Sequence, residues 1–330
     1  MFAAAVLLAA CERDTRAEDD TLVVYSAGPR GLADEVVAAF ERETGVNVEF
    51  FGATTGQVMA RLEAERYRPR ADVGIFASRA AAEHLKGQAR LLRYPEPDWL
   101  DATHTEWHDP DHYYFATSGA IVGIALRGDV ADQTPEWTQL FGGDFPGQVT
   151  MPSPSRSGSA GDFTVAYLLE HGDEAWDDFL QARQQGMDFA AANSQAISGL
   201  LVGTYDAIAG AVDYLIYAQI ADGADLHMHY PVSGSAFVER PIAILADTPV
   251  PETARKFVDF YIEQQRQEMV ADYHLLPVRR DVDVSDVRGD ADIPPVFATD
   301  IEETVAAQNR LLRRFQLEIE RAEVLPAAAE

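Results

Sequence analysis

The chain has 330 residues, of which 47% are hydrophobic, and this length predicts about two domains with sizeable cores. Its formal net charge of -28 repels the phosphate backbone of nucleic acids, and no basic stripe with interleaved aromatic residues occurs, so we expect no nucleic-acid partner. The single cysteine excludes a disulfide within the chain, so burial alone has to stabilise the fold.

A short apolar run at the N-terminus, residues 2–10, ends at this cysteine, Cys11. The run is shorter than the roughly 20 residues that span a bilayer and has the length of a signal-peptide core. Leu8-Ala9-Ala10-Cys11 resembles the lipobox of bacterial lipoproteins, in which a peptidase cuts before a cysteine that then carries lipid. We expect residues 1–11 to be the signal peptide with the lipidated cysteine and residues 12–20 to be a tether. An incidental thiol at a frayed apolar terminus is the alternative.

Strands and helices alternate from residue 21 onward. Strands are predicted at 21–26, 46–50 and 71–76. They are separated by a helix that carries Leu32, Val36 and Phe40 and ends at Thr44-Gly45, and by a helix that begins at Thr54-Thr55-Gly56. This βαβαβ order predicts a parallel sheet with helices on both faces, and ligands bind such sheets beyond the carboxyl ends of the strands. Those ends carry Ser26, Thr54-Thr55-Gly56 and Ser78.

A second α/β unit is predicted downstream. Strands are expected at 121–126, 148–151, 207–212 and 226–231, a helix and turn at 135–147, and helices at 159–169, 174–183 and 194–202. A strand at 242–245 and the helix after Pro251 complete the first unit, and a last helix follows at 301–322. The strand at 226–231 returns toward the first unit, so the chain crosses twice between two lobes. We expect lobe 1 to comprise residues 21–127 plus 230–324, with the last helix packed across it, and lobe 2 to comprise residues 128–229.

Five short motifs occur in one order over roughly residues 22 to 285. They are Leu22-Val23-Val24-Tyr25-Ser26, Phe40-Glu41-Arg42-Glu43-Thr44-Gly45-Val46, Thr55-Gly56-Gln57, Ala71-Asp72-Val73 and Pro277-Val278-Arg279. The ordered set resembles the extracellular solute-binding proteins of ABC importers, in the branch similar to the ferric-ion and phosphonate binders. The resemblance implies the fold class: an α/β, two-lobed type II periplasmic-binding-protein fold, each lobe a mostly parallel sheet flanked by helices, joined by a two-crossing hinge.

The resemblance also implies a function. Such a clamp closes on its ligand and delivers it to an ABC transporter permease, with no catalysis. We expect a monomer without cofactor or metal, located in the periplasm or at the cell surface and held to the membrane only by the lipid on Cys11.

Iron is disfavoured as the ligand. Ferric members use two adjacent tyrosines, because phenolate oxygen suits iron(III). Here Leu215 breaks the pair, which leaves Tyr214 and Tyr217 apart, and the positions where ferric members often carry His and Glu fall near Pro29 and Ala77. A ferric-iron binder and a sugar-phosphate binder remain the alternatives within the family.

A serine- and glycine-rich segment at 152–161 precedes a predicted helix and suits a tetrahedral oxyanion. Ser157, Gly158 and Ser159 can supply hydroxyls and free backbone N–H groups, helped by the helix dipole, and Arg156 can add a bidentate contact. The alternative is that these hydroxyls cap helices. Further candidates at strand ends and helix starts are Ser26, Thr54, Thr55, Gly56, Ser78 and Ser194.

Asp213 and Tyr214 follow a predicted strand directly and are expected to face the cleft, with Tyr217 one turn further on. A carboxylate is useful at an anion site only if the ligand also carries a cation, which makes 2-aminoethylphosphonate the best candidate. Phosphonate would bind at Ser157 and Ser159, ammonium at Asp213 and the alkyl chain at Tyr214. Alternatively, Asp213 caps the following helix.

Two other functions are alternatives to anion binding, namely zinc binding and ester hydrolysis. His104, His108 and His112 have a spacing that can bind zinc on a helix, but Pro110 interrupts it and a surface loop is the better interpretation. His227-Met228-His229 is interpreted as hinge packing. A serine hydrolase with Ser157 or Ser159 as nucleophile is the alternative from a different class, although no Gly-x-Ser-x-Gly elbow occurs.

Overall fold

The computed structural model describes residues 21–284, 286–288, 294–298 and 300–322. The predicted signal peptide, Cys11 and the tether lie outside these residues. Within them, none of the helices combines the length and the apolar character needed to cross a membrane.

Strands and helices alternate through most of the described chain. The strands are β1 (Thr21–Ser26), β2 (Asn47–Gly52), β3 (Val73–Ile75), β4 (Phe115–Arg127), β5 (Val149–Pro152), β6 (Asp188–Ala190), β7 (Ala207–Val212), β8 (Leu226–His229), β9 (Ala236–Ile244) and β10 (Leu276–Pro277). The helices are α1 (Arg30–Thr44), α2 (Thr55–Ala64), α3 (Arg79–Gly87), α4 (Trp137–Gly142), α5 (Gly158–His171), α6 (Asp173–Gln184), α7 (Asn193–Leu201), α8 (Asp213–Ala221), α9 (Pro251–Ile262), α10 (Gln264–Asp272) and α11 (Ile301–Phe315).

The first three strands form the predicted parallel unit. β1 pairs in parallel with both β2 and β3, so the βαβαβ prediction is confirmed. α1 buries Leu32, Val36 and Phe40 at helical spacing and ends at Gly45, whose φ of 75° is the left-handed conformation that glycine tolerates. α2 begins with a capping box between Thr54 and Gln57. We call the part built on β1, β2 and β3 the first lobe.

The second lobe, built on β5, β6 and β7, repeats this arrangement. β5 pairs in parallel with β6 and with β7. Where β7 pairs with β4 the register shifts between Gly123 and Ile124, and Gly210 is the extra residue, with a φ of 74°. This bulge lies two residues before the end of β7, where the chain turns into α8.

Two long strands connect the lobes. The strand order is β2-β1-β3-β9-β4-β7-β5-β6, with β8 and β10 also paired to β4. β4 pairs antiparallel with β9 up to Val122 and continues against β7 and β8 from Val122 to Arg127. The sequence predicts only the second half of β4, because Thr117, Ser118 and Gly119 interrupt the apolar run. β4 and β9 therefore carry the chain across the hinge.

The C-terminal helix differs from the expectation. The predicted helix at 301–322 is α11 followed by a π-helical turn, Gln316–Glu320. It was expected to pack across the first lobe, but it contacts both lobes: it lies against α3 and α5. The ring of Phe315 packs against Phe179 and Phe189 of the second lobe, with centroids 4.9 and 5.8 Å apart. Apolar area on the second lobe therefore holds most of this helix.

Candidate functional site

A cavity of about 320 Å³ lies between the two lobes. Its walls come from the segments that follow β1, β2, β3, β5, β6 and β7, which is where ligands are expected on parallel sheets. We call it the central cavity, and its lining residues are Ala27, Gly28, Arg30, Ala53, Thr54, Thr55, Ala77, Ser157, Gly158, Ser159, Ala192, Asn193, Ser194, Tyr214, Leu215 and Arg240.

Five helices begin at the wall of the central cavity. They are α1, α2, α5, α7 and α8, and each contributes residues of its first turn to the lining. The first backbone N–H groups of a helix have no intrahelical acceptor, and the helix dipole places about half a positive charge there. Several N-termini converging on one cavity therefore favour an anion.

Arg240 supplies the fixed positive charge of the central cavity. Its side chain comes from β9, is 2% exposed, and donates to the carbonyl oxygen of Ala27 over 2.9 Å, while its guanidinium lies 5.4 Å from the ring centre of Tyr214. Among the described residues no carboxylate forms an ion pair with it. A second arginine, Arg30, lines the same cavity but is mostly exposed and pairs with Asp34. A buried cation without a carboxylate partner indicates an anionic ligand.

The structure brings together seven of the predicted site residues at the central cavity. They are Thr54, Thr55, Ser157, Gly158, Ser159, Ser194 and Tyr214. Thr54 and Thr55 also have structural roles, since Thr54 caps α2 and the Thr55 hydroxyl accepts from the backbone N–H of Ala77 over 3.1 Å. The capping alternative is thus realised at Thr54 without removing it from the lining.

The hydroxyl groups of Ser157 and Ser159 are ordered by their hydrogen bonds. Ser157 Oγ accepts from the backbone N–H of Ala160 at 3.4 Å and from the Asn193 side-chain amide at 3.2 Å. Because both lone pairs are then occupied, its own proton goes to Ser159 Oγ, 3.2 Å away. The Ser159 hydroxyl is left to donate toward the cavity, as an anion requires.

Three predicted residues line a neighbouring cavity of about 260 Å³ instead, namely Gly56, Ser78 and Arg156. It lies on the other side of the contact between Thr55 and Gly158, and α11 forms its far wall. Arg156 is exposed, and the expected bidentate contact therefore does not point into the central cavity. Ser26 lies outside both cavities, because its hydroxyl accepts from the backbone N–H of Gly28 over 3.0 Å and holds the loop after β1.

Asp213 and Tyr217 belong to the hinge, which corrects the ammonium site expected at Asp213. The Asp213 carboxylate forms an ion pair with Arg288 at 2.5 Å and also accepts from the backbone N–H of Ile121 and the hydroxyl of Tyr230. Tyr217 contacts the Tyr230 hydroxyl at 3.2 Å, with Arg288 over its ring. The carboxylate is fully buried by these partners, so none of its oxygens faces the central cavity.

The histidine-rich segment is a structural element. His108 is 3% exposed rather than on a wet surface loop: its Nδ1 accepts from the backbone N–H of Ala116 over 2.9 Å, and its Nε2 lies 2.8 Å from Thr103 Oγ1. Burial lowers the pKa of His108 to about 4. In the part of the chain that the structure describes, no group of three or more His, Cys, Asp or Glu side chains could hold a metal ion.

Sequence reasoning missed the two arginines that define the charge of the site, Arg240 and Arg30, and the amide that orders the Ser157 hydroxyl, Asn193. Arg240 lies in Glu239-Arg240-Pro241, a charged interruption of a strand that is otherwise apolar toward its end. That interruption is a usable signal, because a charge inside a buried strand requires a partner. Asn193 immediately precedes the predicted Ser194 and gives no signal of its own.

A family model for bacterial extracellular solute-binding proteins matches residues 21–276. Among curated relatives, a putative 2-aminoethylphosphonate-binding periplasmic protein from Salmonella typhimurium is 24% identical over 271 residues, covering 75% of this chain and 74% of the relative.

Solved structures resemble the whole described architecture. The periplasmic binding protein AfuA from Actinobacillus pleuropneumoniae, with exogenous fructose-6-phosphate bound, has a TM-score of 0.83 at 20% identity and covers 92% of this chain and 99% of its own. A ferric binding protein from Campylobacter jejuni has a TM-score of 0.78 at 17% identity, and the match covers 90% of this chain and 99% of that protein. At these identities the likeness concerns the fold, and it confirms the predicted two-lobed α/β class.

Proposed function

Because this chain belongs to the bacterial extracellular solute-binding proteins, we propose that it captures a small anion bearing a phosphate or phosphonate group and delivers it to an ABC import permease. The proposal places binding in the central cavity, between the lobes. Members of this family bind solutes, and we propose no catalytic activity.

The observation that carries the proposal is the charge of the central cavity. Five helix N-termini and Arg240 surround it, and no Asp or Glu side chain is among its lining residues. A tetrahedral oxyanion can accept from several backbone N–H groups, from the Ser159 hydroxyl and from the guanidinium at once. Tyr214 offers an apolar ring beside them for the organic part of the ligand.

Phosphonates and phosphate esters form the ligand class, and 2-aminoethylphosphonate is the first member to test. The name of the Salmonella relative supports it. Its ammonium, however, finds no carboxylate in the lining, since Asp213 is paired with Arg288. We therefore expect methylphosphonate and fructose 6-phosphate to compete with it at comparable concentrations. A strong preference for 2-aminoethylphosphonate would contradict the conclusion that no carboxylate in the cavity binds its ammonium group.

Iron(III) and ester hydrolysis are less well supported. Hard oxygen ligands for iron are scarce in the central cavity, where Tyr214 is the one phenol in the lining and no carboxylate occurs. Hydrolysis would need a base at the serine. Among the described residues, the hydrogen-bond partners of Ser157 and Ser159 are a backbone N–H, an amide and each other.

The lipid anchor completes the proposal. A lipidated Cys11 would hold the binding domain beside its permease, with residues 12–20 setting its reach. Globomycin-sensitive processing and palmitate labelling of the wild type, both absent in Cys11→Ser, would test this, and export of an unlipidated protein would contradict it.

Calorimetric titration with methylphosphonate, 2-aminoethylphosphonate, fructose 6-phosphate and iron(III) citrate tests the ligand class. We expect Arg240→Gln to weaken phosphonate binding at least about tenfold, because a charge-assisted hydrogen bond in a buried site is lost. Arg30→Gln is the matched control, since this arginine lines the same cavity but is exposed and paired with Asp34. Binding of iron alone, or equal effects of the two substitutions, would refute the proposed site.

A further inference from the structure

Asp162 on α5 joins three parts of the molecule. Its Oδ1 accepts from the Ser78 hydroxyl at 2.7 Å and from the Gln308 side-chain amide at 2.9 Å, and the backbone N–H of Arg79 also donates to it. Ser78 and Arg79 belong to the first lobe, Asp162 to the second and Gln308 to α11. One carboxylate thus ties both lobes to the C-terminal helix.

This carboxylate is enclosed by protein except at a small cavity of about 230 Å³ lined in part by Arg79 and Glu239. Those two side chains pair with each other at 3.0 Å, so the positive charge of Arg79 is balanced by Glu239 and not by Asp162. The three donors to Asp162 are therefore what stabilises it, and separating the lobes would remove two of them.

The lobes also meet directly beside this junction. A Cβ on Gly158 would lie 2.8 Å from both the carbonyl oxygen of Ala77 and the Thr55 hydroxyl, so the second lobe touches the first there. The structure is thus that of the closed clamp, and hinge opening at β4 and β9 would separate Ser78 from Asp162.

The C-terminal segment is hydrogen-bonded to the second lobe at two places, at Asp162 within α5 and at the loop that precedes α5. Beyond α11, the Glu320 carboxylate accepts from the Ser153 hydroxyl at 2.9 Å and from the backbone N–H and hydroxyl of Ser155 at 3.2 and 2.9 Å. These residues lead into α5. Gln308 is therefore presented to Asp162 by a helix that is anchored to the second lobe.

We propose that Asp162 is a positioning residue that couples lobe closure to ligand affinity: its hydrogen bonds from the Ser78 hydroxyl and the Arg79 backbone N–H form in the closed clamp and strengthen binding without touching the ligand, while Gln308 holds the carboxylate in place. The closed state gains bonds that the open state lacks, so any ligand that requires closure is bound more tightly. Of the measurements that follow, only those with ligand rest on the proposed function.

Fluorescence energy transfer between the lobes tests this proposal on the full chain. Tyr67 and Val202 are 94% and 78% exposed and lie on the first and second lobes, so dyes on Tyr67→Cys and Val202→Cys in a Cys11→Ser background report closure. The variants are Ser78→Ala, Asp162→Ala, Asp162→Asn and Gln308→Ala, measured without ligand and during titration with methylphosphonate.

We expect Ser78→Ala and Asp162→Ala to shift the titration midpoint upward by about five- to tenfold, which is the loss of one hydrogen bond. Gln308→Ala should shift it less. Asp162→Asn is the conservative rescue, because its amide oxygen still accepts from both side chains, and it should stay within about threefold of the wild type. A merely structural role would lower the unfolding temperature of the variants without moving the midpoint.

The proposal would be overturned if the efficiency of energy transfer were identical in the wild type and Ser78→Ala, both with and without methylphosphonate. If Asp162→Ala does not fold, Ser78→Ala decides, since it removes a single hydroxyl. If methylphosphonate closes no form of the protein but Ser78→Ala still opens the ligand-free clamp, then the proposed ligand class fails and the junction stands.

Discussion

Gly158 is the point at which a single added methyl group should separate ligand binding from folding. It is the first residue of α5 and has no strained φ, so alanine is compatible with its backbone. The added Cβ would lie 2.8 Å from the Ala77 carbonyl oxygen and 2.8 Å from Thr55 Oγ1, both on the opposite lobe. Gly158→Ala is therefore expected to destabilise the closed clamp and to leave the folding of each lobe unchanged.

The magnitude follows from the size of the overlap. An ordinary contact begins at 3.4 Å, so the lobes have to separate by about 0.6 Å or distort locally. Overpacking of this kind costs about 1–3 kcal/mol. Because this cost falls on the closed state, it is subtracted from the binding free energy, and affinity should fall by about 5- to 140-fold. Ligand-free stability should be unchanged or slightly higher, since alanine restricts the unfolded chain.

Calorimetry with methylphosphonate measures the affinity, and thermal unfolding of the ligand-free protein measures the stability. Gly56→Ala is the matched control, because it also lies at the start of a helix facing the other lobe, yet its Cβ would meet the Arg156 carbonyl oxygen at an ordinary 3.5 Å. We expect this control to bind within about twofold of the wild type. Equal affinities of Gly158→Ala and Gly56→Ala would refute the assignment of the closed contact.

Three further predictions concern stability, each measured by urea denaturation. Because burial lowers the pKa of His108 from 6.5 to about 4, the folded state resists protonation, and the free energy of unfolding should fall by up to about 3 kcal/mol as pH drops across that window; His108→Gln should flatten the profile. Glu320→Ala should cost about 1–2 kcal/mol by freeing the loop before α5, whereas Glu318→Ala, whose partner is exposed, should be nearly neutral. Asp213→Asn and Arg288→Met should each cost about 3–5 kcal/mol and the double variant less than their sum; strict additivity would contradict the buried pair.

The position of the site could be predicted from the sequence because parallel strands place their carboxyl ends together. The alternation of strands and helices was sufficient to bring Thr55, Ser157 and Tyr214 to one cavity. The sequence could not assign the charged partners in the same way. Asp213 and Arg288 are 75 residues apart, and nothing local distinguishes a carboxylate that meets a ligand from one that meets a distant arginine.

The net charge of the whole chain does not determine the charge of the binding site. The net charge of -28 belongs to the whole chain, and at about 0.1 M salt exposed charges are screened beyond about 10 Å. Within that distance the ligand would meet the lining itself, which contains two arginines, no carboxylate and the positive ends of five helices. Arg240 contributes most, because its burial leaves its charge poorly screened. Composition therefore excludes a polyanionic partner that would lie along the surface, while the placement of one arginine in β9 favours a small anion that enters the cleft.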